Sequence, residues 1–129
     1  MRSGLELHDS RVTQIEVAHG VATIYFSHAY IHKSMGTPGK DRGTGWSQEA
    51  RLVLNEVAVV PPLPSLPNTI FEGFLEVGGI KHEVIPLPFR RRAGARLYLL
   101  FSDGVEMELL GTRPFIELLG TPIYLEDLS

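Results

Sequence analysis

The chain has 129 residues, no cysteine and a formal net charge of −3. That length fits one domain, residues 1–129, able to bury roughly two thirds of its unfolded surface. The missing cysteine excludes disulfides, thiol catalysis and Cys-ligated zinc and favours a reducing compartment, while the acidic balance argues against nucleic acid as the main partner.

Met1 to Glu6 contain no apolar run of the kind a signal peptide needs. The longest uncharged stretch, 57–71, is broken by Pro61, Pro62, Pro64 and Pro67 and is too short to span a bilayer as a helix. The expected location is the cytoplasm, with no membrane partner.

The first element reads as a hairpin about a two-residue turn, His19-Gly20. That turn pairs Val17 with Ala22, Ile15 with Ile24 and Thr13 with Phe26, and gathers the apolar residues on one face. Carried further, the same register sets Arg11 opposite His28, Asp9 opposite Tyr30 and Leu7 opposite His32. The core-facing side of the hairpin would then turn from apolar to polar. Polar groups that continue a core face are costly unless paired or hydrated. The alternative is a bulge near His8-Asp9-Ser10, or a hairpin that outruns the core.

Ser34 to Gly45 holds four glycines with Lys40, Asp41 and Arg42 and reads as a mobile loop beside the polar end of the hairpin. Its Gly39-Lys40 pair is followed by Asp41 where a phosphate loop needs Ser or Thr, and no helix follows. Trp46 to Val60 reads as a long strand with interrupted alternation, the mark of a bulge. Pro61 to Pro67 reads as a stiff, extended crossover.

A second hairpin turns at Gly78-Gly79, facing Val77 with Ile80 and Leu75 with His82. Pro86 and Pro88 share one parity, which places them along an edge strand. Arg90, Arg91 and Arg92 with Arg96 form a basic cluster, blunted by Glu106 and Glu108; a solvated loop is the expectation. A third hairpin, with the three-residue turn Ser102-Asp103-Gly104, aligns Leu97, Leu99 and Phe101 with Val105, Met107 and Leu109. The tail, Phe115–Leu119 and Pro122–Leu125, reads as two short strands, with a short helix capped at Thr112-Pro114 as the alternative.

No window holds a sustained 3.6-residue period, and turns recur every ten residues or so. The fold expected is all-β, a small antiparallel β-barrel or β-sandwich of about eight strands built from consecutive hairpins. Five histidines and no cysteine leave only His and carboxylate metal ligands. His28 and His32 lie about 13 Å apart on a strand, too far for one ion. No metal and no cofactor is expected, and catalysis lacks a recognisable motif.

The functional expectation is a non-enzymatic module that binds a small polar ligand or a protein at Asp9, Arg11, His28, Tyr30 and His32. The alternatives are a structural or oligomerisation protein acting through a strand edge, with a homo-oligomer as its product, and a small hydrolase using Asp9 and His28.

Overall fold

A computed structural model describes all residues, Met1–Ser129. Eight strands follow in chain order: β1 (Arg2–Ala18), β2 (Val21–Ser34), β3 (Gly43–Asn55), β4 (Asn68–Val77), β5 (Ile80–His82), β6 (Val84–Leu87), β7 (Gly94–Phe101) and β8 (Glu106–Leu128). Every pairing is antiparallel, and the sheet runs β5-β4-β7-β8-β3-β2-β1-β6. β4 also pairs with β1, so β1, β2, β3, β8, β7 and β4 close into a ring. The all-β, hairpin-built reading of the sequence holds. No helix of the chain is long and apolar enough to cross a membrane.

The three turns form where their residues permit left-handed backbone. His19 and Gly20 lie at φ 52° and 77°, Gly78 and Gly79 at 58° and 80°, and Gly104 at 88°. The registers that follow are Val17 with Ala22, Ile15 with Ile24, Leu75 with His82, and Leu99 with Met107. β6 ends the sheet, where Pro86, opposite Gly4, needs no second partner strand.

Four departures from the sequence reading have local causes. The first hairpin loses the register set by its turn. Val12, not Thr13, faces Phe26; Glu6, not Asp9, faces Tyr30; and Gly4, not Leu7, faces His32, while Arg11 still faces His28. Three irregularities are responsible: Thr13 is extra on β1, Ser27 is extra on β2, and the third lies between Glu6 and Arg11, where Asp9 takes φ 69°. β3 starts earlier and ends sooner than Trp46–Val60, because Glu56 turns left-handed at φ 52° and Val57 swings into the core. The tail is one strand continuous with the third hairpin, not two strands or a helix, and it bends at Arg113 and Gly120, with φ 48° and 68°.

The fourth departure is the loop after β2, which is shorter than Ser34–Gly45 and tied to itself. Ser34 Oγ donates to the Arg42 carbonyl (2.7 Å), the Gly36 amide donates to Ser34 Oγ (3.0 Å), and the Thr37 amide donates to Asp41 Oδ2 (2.6 Å). A Cβ at Gly43 would fall 1.9 Å from the Lys33 carbonyl oxygen, so the chain re-enters the sheet where only glycine fits.

The bulges decide which side chains enter the core. Along β1 the buried series is Ile15, Val12, Ser10, Leu7 and Leu5; along β2 it is Ala22, Ile24, Phe26, Ala29 and Ile31. Each step of three residues in place of two moves the following side chains to the opposite face. Leu5, Leu7, Ala29 and Ile31 therefore extend the apolar interior, a cluster of 24 buried residues. Tyr30 and His32, of the opposite parity, face outward.

Candidate functional site

The five residues singled out by the sequence fall into separate groups. Asp9 is exposed at its bulge, and its carboxylate lies 3.3 Å from Nε2 of His8 and not beside His28. Arg11 is half-buried where β1 meets β4, opposite Thr69, and its guanidinium donates to Thr69 Oγ1 (3.3 Å). His28 faces Arg11 across the strands, exposed, with Nδ1 2.9 Å from the Ser27 hydroxyl. Arg11 and His28 are thus brought together, and Asp9 stands apart from both.

Tyr30 and His32 belong to the outer face of β2. The Tyr30 hydroxyl donates to Glu126 Oε2 of β8 (3.0 Å). Burial, with this bond to a carboxylate, pushes its pKa up to about 12. His32 is buried beneath the 35–42 loop, where its Nδ1 accepts the Gly39 amide (2.5 Å) and stands 3.8 Å from Glu6 Oε1. Its Nε2 is buried without a partner. Between β1 and β2, the buried Ser10 hydroxyl donates to the Glu6 carbonyl (2.5 Å) and accepts the Tyr30 amide (2.9 Å), supplying the bonds that the bulge removes.

A groove of about 390 Å³ opens where β1 and β4 diverge above their two paired positions, Arg11–Thr69 and Val12–Asn68. β5 and β6 span the divergence, β5 on β4 and β6 on β1. Glu6, Glu72 and Glu83 line the groove with His8 and Phe71, and His8 Nδ1 bonds the Phe71 carbonyl across it. These carboxylates do not assemble a metal-binding group of three. The other large depressions are surface clefts of similar size, from about 350 to 490 Å³.

The sequence reading divided the second half of β8 into two short strands and gave its edge no role. Residues Glu106–Thr112 pair with β7, and the opposite side of β8 pairs with β3 from Thr112 to Leu128. Beyond β7, the segment 89–93 covers the next part of the edge. The Arg113 amide donates to the Ala93 carbonyl (2.9 Å), Arg91 to Pro114 (3.0 Å) and Ile116 to Phe89 (3.0 Å). From Glu117 onward this edge of β8 has no backbone partner. Leu118, Ile123, Tyr124 and Leu125 are exposed along it, at 40, 63, 50 and 49%.

The two ends of this free edge differ in charge. Beside its start stand Arg90, Arg91 and Arg92, exposed and without a carboxylate at ion-pair distance; Arg90 stacks on Phe115 (4.3 Å) and Arg91 on Phe89 (4.4 Å). Its far end carries Glu126 and Asp127, bonded only to the Tyr30 and Tyr124 hydroxyls. Glu117 is already paired with Arg51 at 2.9 Å. The sequence signal for this edge was the set Leu118, Ile123, Tyr124 and Leu125, apolar residues near the end of the chain with no lysine among them.

Comparison with models of protein families, with curated proteins and with solved structures finds no match to this chain.

Proposed function

We propose that this domain is a non-enzymatic binding module that takes a protein partner by strand addition along β8 from Glu117 to Leu128. The free edge of β8 carries this reading. Its unpaired amides and carbonyls form a template for another strand, and the exposed Leu118, Ile123 and Leu125 supply side-chain contacts. A long edge with apolar side chains is a liability that proteins usually blunt. Here the blunting is partial: the bend at Gly120 and the missing amide of Pro122 restrict which strands fit without closing the edge.

The test is a photoreactive residue placed singly at Ile123, Leu125, Thr13 and Glu16 of the full chain in its native cell. Adducts from Ile123 and Leu125 but not from Thr13 or Glu16, exposed elsewhere on the sheet, support strand addition. Adducts confined to Thr13 and Glu16, or none at all, overturn it.

A second reading keeps a small polar ligand at Arg11 and His28. It is favoured by their pairing across β1 and β2 with no carboxylate at ion-pair distance from either. Native mass spectrometry of the untagged protein tests it: an added mass lost in both Arg11→Ala and His28→Ala supports a ligand there, and a bare chain mass overturns it.

A further inference from the structure

We infer that the strand received by β8 is β8 of a second copy of this chain, so that the domain functions as a two-fold dimer. The inference rests on the strand-addition reading and adds the identity of the partner. It follows from how charge is distributed along the free edge. A two-fold interface lays one surface against itself in reverse, so each end of the edge meets the opposite end of its copy.

Take an axis close to Ile123, midway between Leu118 and Leu128. Antiparallel pairing then sets Leu118 of one copy beside Leu128 of the other and carries Asp127 opposite Leu119. Leu119 lies four residues from Phe115, the residue that Arg90 faces. Four residues of strand span about 13 Å, a gap that an extended arginine and the aspartate can bridge between them. The second copy's strand continues the row that Phe89 to Ala93 begins, and its acidic end arrives beside Arg90, Arg91 and Arg92.

Within one chain neither group has an ion-pair partner, whereas Arg51, Arg96 and Arg113 all do. The dimer pairs them twice, once at each end. It also covers Ile123 and Leu125, and it brings no like charges into register, because the acidic residues 126 and 127 fall opposite Gly120 and Leu119. Pro122 contributes no donor, so the shared ladder closes in two symmetric runs on either side of the axis.

Sedimentation velocity across the micromolar range tests this on the full chain. Wild type is expected to dimerise, with an affinity that falls as salt rises. Ile123→Lys is expected to give monomer. Arg90→Glu and Asp127→Arg should each weaken the dimer by about tenfold, and the double variant should recover it, since the swap restores the attraction. Amide exchange on the monomeric variants establishes that they remain folded.

A wild type that stays monomeric throughout overturns the inference, as does a dimer indifferent to Ile123→Lys or one that the charge swap fails to restore. The crosslinks separate this failure from that of the underlying reading. Adducts from Ile123 to a different protein overturn only the second-copy identity; none from either Ile123 or Leu125 overturn both.

Discussion

The backbone amide of Gly39 donates to Nδ1 of His32 at 2.5 Å, tying the tip of the 35–42 loop to a side chain buried on β2. An imidazole that accepts at Nδ1 is neutral and carries its proton on Nε2. Nitrogen shifts of His32 should report the Nε2–H tautomer, and exchange of the Gly39 amide should quicken in His32→Leu. His32→Leu, which keeps the bulk and removes the acceptor, should cost about 1–3 kcal/mol in denaturant unfolding. An Nδ1–H tautomer, or an unchanged Gly39 amide in His32→Leu, would show that the tie is not formed.

Ser10 provides a sharper test of the first bulge. Its hydroxyl serves the Glu6 carbonyl and the Tyr30 amide inside a fully buried site. Ser10→Ala leaves both unsatisfied and should destabilise the fold by about 2 kcal/mol, whereas Ser10→Thr should keep the bonds and lose less. Equal stability of the alanine variant and wild type would mean that water takes over both bonds.

Tyr30 predicts an alkaline slope. Its folded pKa is raised from 10.0 to about 12, so the unfolded chain ionises first. The folded form then holds the extra proton, and stability that is complete below pH 10 is lost as pH rises toward 12. Tyr30→Phe removes this contribution and should flatten the decline over that window. Unfolding curves at stepped pH would decide it, a slope unchanged in Tyr30→Phe counting against the Glu126 bond.

At His82 the sign is opposite. Its packing against the ring of Phe89, and beyond that the charge of Arg91, hold its pKa below the ordinary 6.5. The unfolded chain takes up the proton first as pH falls, so the contribution is present above 6.5 and lost on descending through the folded value. Arg91→Gln should lift the His82 pKa a little, burial being the larger cause, and His82→Gln should reduce the acid-side slope. Proton NMR titration of His82 in wild type and Arg91→Gln reads the first directly.

The hairpin registers were legible because each turn carries its own signal: Gly78-Gly79 and Ser102-Asp103-Gly104 set their pairings as read. The register of the first hairpin was legible only as far as Gln14, opposite Tyr25. A bulge adds one residue to one strand, and nothing in the identity of Thr13 or Ser27 announces it. The trace it leaves is elsewhere: Leu5 and Leu7 with Ala29 and Ile31 form an alternating apolar set out of phase with Ile24 and Phe26. Read that way, the polar residues Tyr30 and His32 fall outside, and the proposed cluster separates. β8 was obscured for the same reason. Its bends at Arg113 and Gly120 interrupt the alternation, so one strand looks like several short pieces.

The closure of the ring also dictates an order of assembly. The pairs of β1 with β2, β2 with β3 and β7 with β8 form between neighbours in the chain and require little loop closure. β8 must return to β3 across the whole middle of the chain, joining Thr44 to Asp127, and β4 meets β1 at only two positions. Those long-range pairings must follow the local ones, which makes this a slow-folding topology for its length. Until β8 docks, the outer side of β3 is bare as well. A nascent chain therefore passes through a stage with two unprotected strands, each able to mistake another molecule for its own partner.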